Sequence, residues 1–301
     1  MVSNMESAFN PSSNRMIKCY MQCFLCKRNN FELIYKLKSK NILRCRNDGL
    51  FVADGAASRS RNDYKTDYYD NPPHPPKSNQ SYFNKKLLAI QQLTINNFPR
   101  ILDVGCGWGD FEEVLEKEKI PYLGIDVNKE AIEICKKKGL NCMQYNIETS
   151  PEIPSLIKEG KKGWLKFDAI TMFQVIEHLK NPLQLLWTAK KLLKKNGVIL
   201  LTTPNNDSPL RKLFGPGWSV YSEPSHYVFF NKKALEKTLS LAGIKNIQIR
   251  IDSPRFLASN YILQRFLKMY FNWKLEIGNW KFSFPIPTDP FGDLEASAFS
   301  D

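Results

Sequence analysis

The chain has 301 residues, 43% of them hydrophobic, with 43 Lys/Arg against 30 Asp/Glu and a net charge of +13. That length and apolar content suffice for one large domain and a smaller one. No apolar run approaches the roughly 18 residues of a spanning helix, and the Asn/Ser-rich residues 1–18 hold no apolar stretch, which predicts a cytoplasmic protein with a disordered start.

Four of the seven cysteines fall between residues 19 and 45, and they do not space like a disulfide framework. Cys23 and Cys26 form a close pair, and after 18 intervening residues comes Cys45-Arg-Asn-Asp48. Zinc ribbons use two such pairs, because each tight turn presents two ligands to one tetrahedral ion. Asp48 stands where a fourth thiolate is usual. A carboxylate oxygen is an accepted zinc ligand, and Cys19 is a spare thiol nearby. The expected metal ligands are therefore Cys23, Cys26, Cys45 and Asp48. With no open position beside a base, the ion would be structural. A ribbon that has lost its metal is the alternative. Residues 31–37 alternate in part, as a hairpin strand does, and residues 50–53 make a second candidate strand.

Residues 55–80 form a linker rich in Ser, Asn, Asp, Tyr and Pro. Asn71-Pro-Pro-His74 within it reads as a turn, since no apolar strand precedes it. Residues 81–93 have the spacing of an amphipathic helix. Ile101, Leu102 and Val104 then make a buried-strand run, followed at once by Gly105, Gly107 and Gly109 and by a helical pattern from Phe111. A nicotinamide fingerprint needs a glycine three residues after Gly107, and that position is Asp110. Asp103 precedes the first glycine, where a carboxylate suits a cationic ligand or braces the turn. Asp126 ends the next apolar run, 21 residues after Gly105, at the distance where an acid takes two ribose hydroxyls.

Farther on, strands are expected at 141–146, 167–173, 197–203 and 246–251, and helices near 110–119, 128–138, 182–195 and 231–242. Asn196-Gly197 looks like the cap of the third of these helices and Gly243 like that of the last. Strand–helix alternation of this kind gives a parallel sheet covered on both faces.

Residues 102–109, Leu-Asp-Val-Gly-Cys-Gly-Trp-Gly, resemble the first motif of the class I S-adenosylmethionine (SAM) methyltransferases. Residues 174–182, with the pair Glu177-His178, resemble a second. The likeness covers about residues 80 to 251. It implies an α/β fold, a Rossmann-like doubly wound and mostly parallel seven-stranded sheet, over a domain spanning 81–301. The antiparallel seventh strand would be 292–299, with an insertion at 254–290. Many bacterial members carry a ribbon at the N-terminus, and residues 45–51 look like its second half with one cysteine lost, so residues 19–54 are expected to be a zinc-ribbon-like module. The resemblance implies SAM as cofactor, with a structural zinc ion beside it. Its binders would be Asp103, Gly105, Cys106, Gly107 and Gly109 on the first strand, and Asp126 and Val127 on the second. Asn146 and Ile147 follow on the third, and Phe173 on the fourth. Many relatives have Asp at the position of Asn146.

His178 and His226, two of only three histidines, are the candidate bases, because imidazole titrates near neutrality. Trp218, Tyr221 and Tyr227 are candidate walls of an acceptor pocket, and Phe229 and Phe230 candidate core. The expected reaction is direct displacement of the methyl group onto an O, N or C nucleophile of a small molecule or saccharide, as in cell-surface glycan or secondary-metabolite pathways. The alternatives are an RNA methyltransferase using the basic N-terminal part, where 15 basic residues meet 7 acidic ones before residue 100, and a non-catalytic SAM-binding protein. The apolar and basic stretch 254–273 suits a lid or core helix, a dimer interface, or a peripheral membrane contact.

Overall fold

A computed structural model describes residues 21–54, 76–147, 166–253, 256–258, 285–287 and 292–300. The disordered start, Cys19 and Asn71-Pro-Pro-His74 lie outside these residues, as does most of 254–290. Of that last segment two short strands are described, β11 (Phe256–Ala258) and β12 (Pro285–Pro287), paired antiparallel. Among the described residues no helix is long and apolar enough to cross a membrane.

The large sheet has the order β10-β13-β8-β7-β4-β5-β6. Its strands are β4 (Ile101–Val104), β5 (Tyr122–Asp126), β6 (Cys142–Gln144), β7 (Phe167–Phe173), β8 (Leu193–Pro204), β10 (Lys245–Ile251) and β13 (Asp293–Phe299). The five from β6 to β8 run parallel, and β13 is antiparallel to both β8 and β10. This is the Rossmann-like, mostly parallel seven-stranded architecture, with the antiparallel strand at 293–299. The helices are α1 (Pro76–Thr94), α2 (Asp110–Lys117), α3 (Lys129–Lys137), α4 (Pro182–Leu192), α5 (Pro209–Phe214), α6 (Ser219–Ser222) and α7 (Lys232–Leu241). Asn128 and Asn231 cap α3 and α7 by accepting the amides of Ala131 and Ala234. These side-chain acceptors satisfy amides that a helix start leaves without partners.

Two boundaries differ from expectation. α1 begins at Pro76, so part of the presumed linker is helix; a proline fits the first turn because it has no N–H to satisfy there. α4 ends at Leu192 and passes straight into β8, so Asn196-Gly197 is not a helix cap. Phe167 pairs with Leu193 while Ala169 pairs with Val198, and the extra residues bulge out with Asn196 at φ +59°. Strand pairing claims Leu193, and Lys194 anchors the bulge on the Asp168 carboxylate at 2.8 Å.

β1 (Phe31–Lys36), β2 (Asn41–Cys45) and β3 (Phe51–Asp54) form a small antiparallel sheet. Its fourth strand, β9 (Val228–Phe229), comes from far along the chain and pairs with Phe51 and Val52. One continuous core joins the two parts: Cys23, Phe24, Phe31, Leu43 and Val52 pack with Leu235 and Leu239 of α7. Phe229 and Phe230 are buried, as expected of core residues. On the opposite face Phe83 and Leu87 of α1 pack against Phe111 and Leu115 of α2.

α1 is also held by a buried charge network. Lys86 pairs with both Asp252 and Glu295, Tyr82 donates to Asp252 at 2.6 Å, and Arg250 reaches Glu295 at 2.5 Å. Removing one partner from such a network strands the others away from water. Lys86→Met should therefore destabilise the chain by about 3–5 kcal/mol in urea unfolding. A loss under about 1 kcal/mol, the scale of an exposed ion pair, would contradict the assignment.

Candidate functional site

The site lies beyond the C-terminal ends of β4, β5 and β7. Gly105, Gly107 and Gly109 all sit at positive φ, +79°, +52° and +82°. L residues resist that region, so the turn calls for glycine. Space divides their roles. A Cβ at Gly105 would stand 2.5 Å from Val175 Cγ2, and one at Gly109 would stand 2.4 Å from Leu140 Cδ1. A Cβ at Gly107 would meet nothing within 4 Å, so this glycine leaves an open face.

Asp126 ties the turn to β5. Its Oδ2 accepts the Gly107 amide at 2.9 Å and its Oδ1 that of Asn128 at 2.8 Å. Each carboxylate oxygen has a second lone pair for a ligand hydroxyl. Val127 beside it is exposed, with 39% of its surface open, and offers an apolar wall. The next strand end brings Asn146, half-buried, and Ile147, buried, to the same rim. The open glycine, the doubly anchored acid and the apolar wall fit a nucleoside with vicinal hydroxyls, as SAM is.

Asp103 lies deeper. It is buried, Thr171 donates to its Oδ1, and the carboxyl of Glu112 stands beside it. Burial pushes its pKa up to about 7 against the pull of Thr171, and burial also raises Glu112 well above its ordinary range. Asp103 thus holds the position of a brace between β4 and β7. Phe173 packs in an aromatic trio with Phe83 and Phe111, at ring separations of 5.6 and 5.3 Å. Cys106 is buried beneath the loop.

Directly after Val175 a short helical turn, Ile176–His178, carries Glu177 and His178. His226 comes from the segment before β9, and the two imidazoles stand 4.6 Å apart, edge to face. His178 Nδ1 lies 3.2 Å from the carbonyl of Ser225, and His226 Nδ1 3.1 Å from that of Val220. A carbonyl only accepts, so each Nδ1 carries the proton and each Nε2 a lone pair. Burial lowers the pKa of His178 below 6.5, which keeps it neutral at pH 7. Glu177 accepts the hydroxyl of Thr203 at 2.9 Å. A cleft of about 400 Å³ opens beside this turn, between Lys180, Tyr227 and the N-terminal residues Met21, Phe31 and Val52.

The candidate walls Trp218 and Tyr221 are not part of it. Both are buried in a second core with Ile42, Phe51 and Phe229, and the Tyr221 hydroxyl donates to Asn206 at 2.6 Å. Their aromatic mass closes the junction with the small sheet, a strand pairing that no sequence spacing announced. Lys40 was also missed: buried, it donates to the carbonyls of Glu223 at 2.5 Å and His226 at 3.0 Å and so fixes the His226 loop. Its only sequence signal is a lysine run beside a turn. Gln174 was passed over too. It sits at φ +59° at the end of β7 and donates to Asp293 at 3.1 Å.

At the other end of the small sheet, the thiols of Cys23, Cys26 and Cys45 and a carboxylate oxygen of Asp48 lie within 4.8 Å of one another. Cys26 and Cys45 sulfurs are 3.6 Å apart, and Asp48 Oδ2 is 3.5 Å from Cys23 and 3.6 Å from Cys45. Ligands at about 2.3 Å from a tetrahedral zinc ion stand roughly 3.8 Å from each other, so the donor set fits the ion. Lys27 and Gly49, at φ +61° and +70°, make the two turns that fold the ligands inward. Burial alone would raise the Asp48 pKa, but hydrogen bonds from Cys26 and Lys237 outweigh it and hold the acid ionised.

A family model described as "Methyltransferase domain" matches residues 77–249. The ubiquinone biosynthesis O-methyltransferase of Haemophilus ducreyi is 31% identical over 107 residues, 35% of this chain and 45% of that protein. The protein of the same name from Pelagibacter ubique is 32% identical over 178 residues, 54% of this chain and 70% of that protein. The chain spans about half the length of the first curated relatives it matches. The crystal structure of a SAM dependent methyltransferase from Archaeoglobus fulgidus superposes with a TM-score of 0.51 at 19% identity, covering 75% of this chain and 95% of that one. That likeness shows the shared fold.

The buried Asp103 has a consequence for stability. The folded chain holds its proton more tightly than the unfolded chain does. Its contribution is therefore full below the ordinary value of 3.8 and is lost as the pH rises through about 7. Urea midpoints should fall across that window, and Asp103→Asn should flatten the fall. An unchanged slope would contradict the buried acid.

Proposed function

The chain belongs to the SAM-dependent methyltransferases, in the family matched over residues 77–249, and on that premise we propose that it moves the methyl group of SAM to a hydroxyl oxygen of a small-molecule acceptor. The observation that carries this reading is the contact of Gly105 with Val175. It sets the glycine loop, and so the cofactor seat, on the same rim as the turn carrying His178. The names of the relatives, O-methyltransferases of ubiquinone biosynthesis, support an oxygen acceptor over a nitrogen or carbon one.

SAM supplies a methyl group on a cationic sulfur, already a good electrophile. The chain's own work is alignment, exclusion of water and handling of one proton. Gly105, Gly107 and Gly109 present bare backbone to the cofactor, Asp126 takes its ribose hydroxyls, and Val127 and Ile147 bound the adenine, with Asn146 accepting its amino group. Asp103 and Cys106 support the loop from below, and Phe173 closes the strand end. On the acceptor side the Nε2 of His178 or His226 takes the proton of the attacking hydroxyl, which makes oxygen a competent nucleophile as the C–O bond forms and the C–S bond breaks.

The four N-terminal donors Cys23, Cys26, Cys45 and Asp48 hold a structural zinc ion in this reading. It fixes the sheet to which β9 adds, and Lys237 of α7 pairs with Asp48 from outside.

An acceptor screen over phenols and other alcohols, read by release of S-adenosylhomocysteine, tests the reaction. With a turned-over acceptor, the rate should rise with pH through a step below 6.5, the ordinary histidine value, because burial lowers His178. Joint replacement His178→Ala and His226→Ala should lower kcat by about 10²–10⁴-fold with little change in cofactor affinity. Wild-type turnover in that double variant would exclude both as the base.

A further inference from the structure

Three cysteines outside the small sheet converge beneath the glycine loop. Cys106 stands between Gly105 and Gly107, Cys135 lies on α3 and Cys142 on β6. All three are buried and free, and their sulfurs lie within 4.8 Å of one another. Buried thiols often serve as small apolar groups, and Ile132 and Leu140 do pack around these. Two features go beyond apolar packing. Three separate elements turn their sulfurs toward one another. Glu112 of α2 is also wholly buried, and its carboxyl is hydrogen-bonded to another buried acid, Asp103.

Glu112 shares the space of the thiols. A Cβ at Gly124 would stand 2.8 Å from Glu112 Oε1, 2.8 Å from Cys142 Sγ and 3.1 Å from Cys106 Cβ. The missing side chain at Gly124 is what lets carboxylate and thiols meet. Two buried acids side by side share a proton rather than both ionise, and a cation beside Glu112 would relieve that constraint.

We propose that Cys106, Cys135 and Cys142 form a second, closed site for a thiophilic divalent cation of the zinc class, which Glu112 completes by turning from Asp103 toward the sulfurs. Three sulfurs and one carboxylate make a donor set that zinc accepts, and full burial leaves no open position, so the ion is structural. Each thiol releases its proton as the ion enters. Cys106 belongs to the glycine loop and Cys135 lies 3.3 Å from the Gly107 carbonyl, so the ion would set the shape of that loop before the cofactor arrives. The site stands apart from the reading of the reaction, since metal content is measured without an acceptor.

The full chain, stripped with chelator and reloaded with Zn(II), is desalted and its metal counted by mass spectrometry. The same is done for Cys135→Ala, for Glu112→Gln and for Cys23→Ala with Cys26→Ala. One ion more is expected in the wild type than in Cys135→Ala, with the count unaffected by what the N-terminal pair holds. Glu112→Gln, close in shape and the least disturbing to the fold, should bind that ion at least about tenfold more weakly. Loading with Co(II) should add a thiolate charge-transfer band that survives the Cys23/Cys26 change and is lost in Cys135→Ala. Equal counts in wild type and Cys135→Ala would overturn the proposal. So would a Glu112→Gln variant with unaltered metal content and raised stability, which would mark the acid as held by a proton shared with Asp103.

Discussion

The turn after β4 is the constraint on which the site depends. Three glycines in five residues hold left-handed backbone, and two of them have no room for a methyl group. Val175 fills the space at Gly105 and Leu140 the space at Gly109, so the turn is wedged between the β7 rim and the α3 region. Gly107 alone faces open space, and its amide is tied to Asp126. A larger residue at either packed position would have to displace a core side chain as well as adopt strained backbone. The turn is thus packed at Gly105 and Gly109 and left bare at Gly107, the face we propose for the cofactor.

The N-terminal sheet belongs to this site more than its place in the sequence suggests. β9 supplies its last strand and lies directly after His226. Lys40 reaches from the small sheet to the carbonyls of Glu223 and of that histidine itself. Burial lowers its pKa to about 8, so it donates as a cation whose charge is only partly offset. A metal ion that orders Cys23, Cys26, Cys45 and Asp48 would steady β1 to β3, and through β9 and Lys40 the loop that carries His226.

The parallel strands were readable as short apolar runs alternating with helical patterns, and the first two close at Gly105 and Asp126. The glycine loop and Asp126 were readable for the same reason: their spacing along the chain sets their distance in space. What the sequence concealed was non-local. Trp218 and Tyr221 read as pocket walls because aromatic residues near a histidine suit a ligand, yet β9 pairing with β3 draws them into a core. Leu192 and Leu193 continue a helical pattern, and only the β7 ladder reveals that Leu193 is strand. The depth of Asp103 depends on Thr171 and Glu112, contributed by two other elements.

The central claim is that Gly105–Gly109 and Asp126 seat SAM. Equilibrium titration of labelled SAM into the full chain, with NAD as competitor, tests it most directly. Saturable binding that NAD does not displace, and that weakens about tenfold or more in folded Asp126→Ala, is the predicted result. Binding of NAD in place of SAM, or SAM affinity unchanged by Asp126→Ala, would contradict it.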